Sequence, residues 1–422
     1  MKSPQVLVAA TVPALLALSL TAAPGFAGTH HAKARAHVRE TTFAFKSSGF
    51  GTRIVGGQLP AGSETTGYKA IGCTNKSGRS RTNDVAQATL PGLGQASGIK
   101  THVWTTSRHG TVAAHSLHRI ARVTLVQSAL GSLALNAITS RATASHDASG
   151  FHANTTTHVG GLSFTPPIGP AQTFPLPTPD QPLTIPGLAT IYAGRHVTHQ
   201  NANGATADAY ALRVDVIPTG TSVRLGHSRA ILANGMTGGV FSGRSAATHV
   251  VTALGDIVQS GPNPLAVMPC QGTYGKVHEK SLASVDLGGQ LIVKGANARE
   301  RGTQHGTHAW GFSRSEIARV NLGDQLVIDG IVGKASVTRD GKKVKVSDKG
   351  TQLGTVTVAG QVQTFPQTGT LEIPGVAKLE RDVVSKSHSG IRVVSLRITL
   401  LDGSGAVINL GEASLKIGKL SS

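Results

Sequence analysis

The sequence predicts an all-β protein made of two tandem, duplicated halves, each sandwich-like or barrel-like, joined about a pseudo-two-fold axis. Three observations predict it. Glycine is abundant, 52 of 422 residues, while aromatic residues make up only 4%. A chain dominated by Gly, Thr, Ser and Val suits short strands and tight turns better than helices. Apolar residues alternate with a period of two in many segments, and no long window sustains the 3.6-residue period of a helix. Collinear matches between the first and second parts of the chain then mark an internal repeat.

In chain order, Lys2 precedes an apolar run at 6–20, and small residues follow as far as Gly25-Phe26-Ala27. That layout reads as a secretory signal over 1–27, cleaved after Ala27 or near Thr21-Ala22-Ala23. Residues 28–42 are polar and basic and read as a flexible arm. Phe43 and Phe45 alternate and open the first β repeat, placed at 43–255; the second is placed at 256–422. The segment 165–186 carries eight prolines and reads as an extended crossing loop, because proline cannot donate to a sheet ladder. Residues 391–400, a Gly403-Ser404-Gly405 turn and residues 406–410 give the clearest hairpin. No later stretch reaches about 18 apolar residues, so no further span is expected. The C-terminus lacks a hydrophobic tail, so release or non-covalent surface retention is expected.

The repeat is traceable residue by residue. Ile71-Gly72-Cys73-Thr74 answers Met268-Pro269-Cys270-Gln271, and residues 85–90 answer 282–287. Thr101-His102-Val103-Trp104 answers Thr307-His308-Ala309-Trp310, which pairs the only two tryptophans. Ile120-Ala121-Arg122-Val123 answers Ile317-Ala318-Arg319-Val320, Gln172-Thr173-Phe174-Pro175 answers Gln363-Thr364-Phe365-Pro366, and 212–225 answers 396–410. A shorter echo, 287–295 against 322–330, reads as strand, Gly turn and strand.

Cys73 and Cys270 are the only cysteines. In an exported chain two cysteines favour a disulfide. They also hold equivalent repeat positions, and equivalent positions near a pseudo-two-fold axis meet, so a bridge between the halves is expected.

Several motifs touch on chemistry. Arg53-Ile54-Val55-Gly56-Gly57 resembles a protease activation site, but the chain has no Gly-Asp-Ser-Gly-Gly nucleophile context, and a strand leading into a Gly turn explains it. Gly226-His227-Ser228-Arg229-Ala230 approaches a nucleophile elbow but ends in Ala, and its counterpart Gly411-Glu412-Ala413-Ser414 keeps neither residue. Eighteen histidines, among them His109, His115, His118, His196 and His199, show no HExxH or Cys/His ligand set and read as scattered surface groups. Glu380, Asp382 and Asp147 show no diagnostic acid–base spacing. Trp104 and Trp310 read as core residues, with a carbohydrate-stacking site as the other reading. No catalytic residue, cofactor or metal ligand is therefore assigned, and no nucleic-acid motif is found. The formal net charge of +19 leaves two readings: solubility alone, or attraction to anionic partners such as wall polymers, acidic lipids or nucleic acid.

Gly51-Thr52-Arg53 with Gly56-Gly57, the Gly72-Cys73-Thr74-Asn75 turn, Ile185-Pro186-Gly187-Leu188-Ala189, Met268-Pro269-Cys270-Gln271-Gly272 and Ile373-Pro374-Gly375-Val376-Ala377-Lys378-Leu379-Glu380 resemble the choice-of-anchor P family over roughly residues 43–417. Its members are exported, β-rich proteins of actinobacterial type, named for varied C-terminal surface anchors. The resemblance implies a surface or extracellular location and no particular reaction or cofactor. The expected role is structural or adhesive and non-enzymatic. A binding module for an envelope glycan or anionic polymer is the first alternative, and a hydrolase of unrecognised geometry the second.

Overall fold

The computed structural model describes residues 38–56, 65–90, 92–128, 131–252, 261–287, 291–366, 368–401, 403 and 405–420. The expected signal segment and most of the expected arm lie outside them. Residues His37–Ser422 form one unit. Among the described residues every regular element is a strand, and no helix is long and apolar enough to cross a membrane.

The first half runs through β1 (Arg39–Gly56), β2 (Lys69–Ser77), β3 (Ser80–Leu90), β4 (Gly94–Arg108), β5 (Thr111–Ser128), β6 (Gly131–Asp147), β7 (Gly150–His158), β8 (Gly161–Thr165), β9 (Gln172–Phe174), β10 (Leu183–Ile185), β11 (Ala189–Asn201), β12 (Gly204–Val216) and β13 (Thr221–Ala233). One sheet has the order β10-β11-β12-β13-β1-β2; the other has β3-β4-β5-β6-β8-β9, with β7 also on β6. The proline-rich segment crosses from one sheet to the other and contributes only the three-residue strands β9 and β10.

The second half runs through β14 (Val240–Thr252), β15 (Asn263–Val267), β16 (His278–Leu287), β17 (Leu291–His305), β18 (His308–Leu322), β19 (Leu326–Asp340), β20 (Lys343–Ser347), β21 (Gln352–Leu353), β22 (Val356–Val358), β23 (Gln361–Gln363), β24 (Thr370–Ile373), β25 (Ala377–Ser387), β26 (Gly390–Leu400) and β27 (Val407–Gly418). Its sheets have the orders β15-β14-β27-β26-β25-β24 and β16-β17-β18-β19-β22-β23, with β20 and β21 on β19. Strand for strand this is the first half again, with β21 added. In each half the two antiparallel sheets pack face to face as a sandwich, and among the described residues neither closes into a barrel.

Two expectations move. The sequence boundary at 255/256 leaves β14 in the first repeat, yet β14 pairs with β15 and β27, as β1 pairs with β2 and β13. The boundary therefore falls between β13 and β14. The first strand also starts at Arg39, inside the segment read as an arm, because Arg39 and Glu40 pair with Ser77 and Lys76 of β2.

Glycine placement shows how closely the copies agree. Gly98 and Gly295 have φ of +60° and +63°, a region open to glycine but strained for other residues. A Cβ there would lie 2.6 Å from the Ala121 Cβ in one copy and 2.7 Å from the Ala318 Cβ in the other.

Each sandwich holds two apolar clusters. In the first, Ile54, Ile99, Ile120, Ile138 and Leu225 belong to the larger one, and Phe45, Ala114, Ala142 and Leu232 to the smaller. The second repeats this with Ile317, Ile331 and Leu410, then Phe241, Val393 and Leu415. A buried polar belt separates the clusters in both halves. It contains Ser47, Thr101, Ser116, His118, Ser140 and Ser228 in the first, and Ser245, Glu300, Ser313, Ser315 and Ser395 in the second.

The halves meet where equivalent residues face each other. Ala44 of β1 and Val240 of β14 share a small apolar cluster with Cys270. Cys73 and Cys270 form a disulfide with a Cα–Cα distance of 5.3 Å, the bridge expected from their repeat equivalence.

Candidate functional site

A cleft of about 540 Å³ runs along the seam beside Cys73. Strand alternation builds it. On β1, Phe45 and Ser47 face the sandwich interior, so Lys46 and Ser48 face outward. Arg229 of β13 lies opposite Ser48. On the other side, Ser414 of β27 is flanked by Arg244 of β14 and Arg392 of β26. Lys416 follows two residues on, between Ser242 and Gly390. Lys46, Arg229, Arg244, Arg392 and Lys416 all line the cleft, and its described lining contains no Asp, Glu or His.

Two carboxylates outside the lining hold the three arginines in place. Glu412 is 1% exposed. Its Oε1 accepts from Arg244 Nη2 at 2.9 Å and lies 3.4 Å from Arg392 Nη2, while its Oε2 lies 3.2 Å from His249 Nδ1. Burial pushes Glu412 up, but the His249 hydrogen bond and the two guanidinium groups outweigh it and hold the carboxyl at about 2. On the first half, Asp208 sits 3.4 Å from Arg229 Nε and 3.3 Å from His227 Nε2. Burial raises Asp208, and His227, Arg229 and Arg195 together bring it below the usual carboxylate range. Lys46 is different. Burial, and next the Arg229 guanidinium, pull its ammonium down to about 8 against an opposing pull from Glu300.

The sequence candidates are scattered. Ser228 is fully buried, with its Oγ 2.9 Å from Ser140 Oγ and 3.0 Å from the Ser140 carbonyl. Adjacent His227 faces the other side of the sheet, where Phe50 stacks on it at 4.4 Å, so the two cannot act together. Ile54 is buried within β1 and pairs with Val223, which is the structural account of the protease-like run. Asp147, Ser149 and His152 do meet at the β6–β7 turn, but Asp147 and Ser149 both approach His152 Nε2, at 3.1 and 2.9 Å. A triad needs them on opposite ring nitrogens. Glu380 lies 3.9 Å from Lys378, and Asp382 occupies an irregular position of β25 at φ 53°.

The histidines are not all surface groups, which corrects that expectation. His118 points into the first sandwich with 0% exposure, while His115 lies on the outer face of β5. His196 contacts Thr155 and Thr157, and His199 contacts Asn201. Among the described residues no three His, Cys, Asp or Glu side chains gather as a metal site.

The tryptophan reading is corrected twice. Trp104 lies on β4 and Trp310 on β18, so they are not topological equivalents, and both are only half-buried. Trp104 stacks on His102 and on His115 at 4.4 and 4.7 Å, contacts that compete with a sugar for the indole. Trp310 meets Phe312 edge-on and lies 5.6 Å from the Arg301 guanidinium.

The cleft cations were missed because they are far apart in the sequence, and Arg229, within the 226–230 run, was read only as part of a near nucleophile elbow. Only the net charge of +19 pointed toward them. The chain matches no protein-family model and no curated protein.

Proposed function

We propose that this chain is an exported structural or adhesive protein of the cell surface or extracellular space, acting by binding rather than catalysis. The seam cleft carries the reading. It offers five cationic side chains and several serine hydroxyls, and its described lining has no carboxylate or imidazole to serve as a general base. The two carboxylates beside it are committed, Glu412 to Arg244, Arg392 and His249 and Asp208 to Arg229 and His227. The signal-like leader, the disulfide and the resemblance to choice-of-anchor P proteins support export.

The test is retention of the purified mature chain on isolated cell envelope. Binding at low ionic strength and release at about 1 M salt, where the Debye length is about 3 Å, is the expected result. Failure to bind at any salt concentration would refute the reading.

A further inference from the structure

We infer that the seam cleft binds a linear polymer bearing repeated oxyanions, phosphate or carboxylate, gripped by cations from both halves at once. The inference rests on the binding reading above and names its ligand class. Lys46 and Arg229 come from the first half; Arg244, Arg392 and Lys416 come from the second. The three arginine side chains are 41–48% exposed, so they reach solvent while their carboxylates anchor them. Glu412 occupies one edge of Arg244 and of Arg392 and acts as a positioning residue. The remaining guanidinium donors form forks suited to phosphate or carboxylate. Lys46 is the sharper sign: it is packed beside Arg229 and no carboxylate lies within ion-pair distance of it among the described residues, an arrangement that a bound anion relieves.

The cleft's dimensions and chemistry favour a polymer. About 540 Å³ exceeds what one small ion fills, and the cations spread over strands of both sandwiches. One aromatic ring, Tyr68, lines the wall. Nucleic-acid binding grooves instead offer successive bases a series of stacking platforms. A repeating anionic chain without bases fits better.

Two soluble probes test this, inorganic polyphosphate and polygalacturonate, with binding measured against salt concentration. Wild-type protein is expected to bind at least one, and the preferred probe identifies the oxyanion. The triple variant Lys46→Met, Arg229→Gln, Lys416→Gln should bind at least about tenfold more weakly, with a log-affinity against log-salt slope shallower by about 2. A control triple, Lys342→Gln, Lys343→Gln, Lys345→Gln, removes the same charge from the β19–β20 hairpin and should bind nearly as wild type. Lys416→Glu alone, at an exposed position, replaces the cleft triple if that variant melts early, and a severalfold loss is expected. Equal losses in the cleft and control variants would overturn the cleft assignment. So would wild-type protein that ignores both polymers yet stays on the envelope, and that result would leave the adhesive reading standing.

Discussion

In the first sandwich the polar belt between the apolar clusters is built around His118; in the second, at the same level, it is built around Glu300. The positions are related by the repeat. Val103 pairs with Ser116 where Glu300 pairs with Ser313, and His118 pairs with Thr101 where Ser315 pairs with Ala298. His118 Nδ1 lies 2.7 Å from Thr101 Oγ1, whose own proton goes to the Gly67 carbonyl at 2.6 Å. The ring therefore donates through its Nδ1–H. Burial, and then the charge of His227, pull it down to about 3. In the other belt, Ser313 Oγ lies 2.6 Å from Glu300 Oε2 and 2.8 Å from the Ser414 carbonyl. One hydroxyl proton cannot serve two acceptors, so a protonated Glu300 completes the pattern. Burial raises Glu300 to about 8 against hydrogen bonds from Ser313 and Ser245. One strand order thus tolerates a buried base in one copy and a buried acid in the other, and the two respond to pH with opposite sign.

The staple hides that difference. Cys73 and Cys270 are 197 residues apart, and a loop of that length corresponds to about 5 kcal/mol in the chain-entropy account. The double substitution Cys73→Ser, Cys270→Ser is expected to lose on the order of that amount. Calorimetry should then resolve two transitions, one per sandwich, because each half has its own core. A single unchanged transition would mean that the seam itself enforces cooperativity and that the halves are not separable units.

Glu300 gives the next largest effect. Its folded pKa of about 8 is above the ordinary value of about 4.3. The folded state therefore holds a proton that the unfolded chain releases. Stability is full below the unfolded value and falls as pH rises toward 8. Glu300→Gln removes the charging step and keeps the shape. It should stabilise the protein by on the order of 3 kcal/mol at pH 8 and by much less at pH 4.5. Urea denaturation at the two pH values measures this, and a variant with the wild-type slope between them would place a charged carboxylate in the belt.

How much of this was legible in the sequence depends on how far each feature reaches along the chain. The duplication, the strands and the Cys73–Cys270 bridge were readable because period-two alternation and matched turns are local signals. The repeat boundary was misplaced because β14 resembles β1 in its pairing and scarcely in its residues. The tryptophans misled for a geometric reason. The matching His-x-Trp run lies before the hairpin turn in one copy, on β4, and after it in the other, on β18, so the same residues land on different strands. The belts and the cleft were not legible. Their members, such as Lys46 with Arg229 or Thr101 with His118, meet only through sheet register and sandwich packing, which leave no spacing to find.

His118 completes the comparison from the acid side. Its folded value of about 3 is below the ordinary 6.5, so the unfolded chain takes up a proton that the folded chain refuses. The stability this provides is present above the unfolded value and is lost as pH falls toward 3. Between pH 6.5 and pH 5 the loss should be on the order of 1–2 kcal/mol. It should appear in the first sandwich, whose belt contains the ring, and not in the second. Asparagine keeps a donor near Thr101 but cannot charge, so His118→Asn should flatten that slope while costing some packing at every pH. Imidazole NMR gives the direct check: the His118 resonances should not shift between pH 7 and pH 5. A midpoint near 6.5 for His118 would show that the ring reaches water, and the opposition between the two belts would then reduce to Glu300 alone.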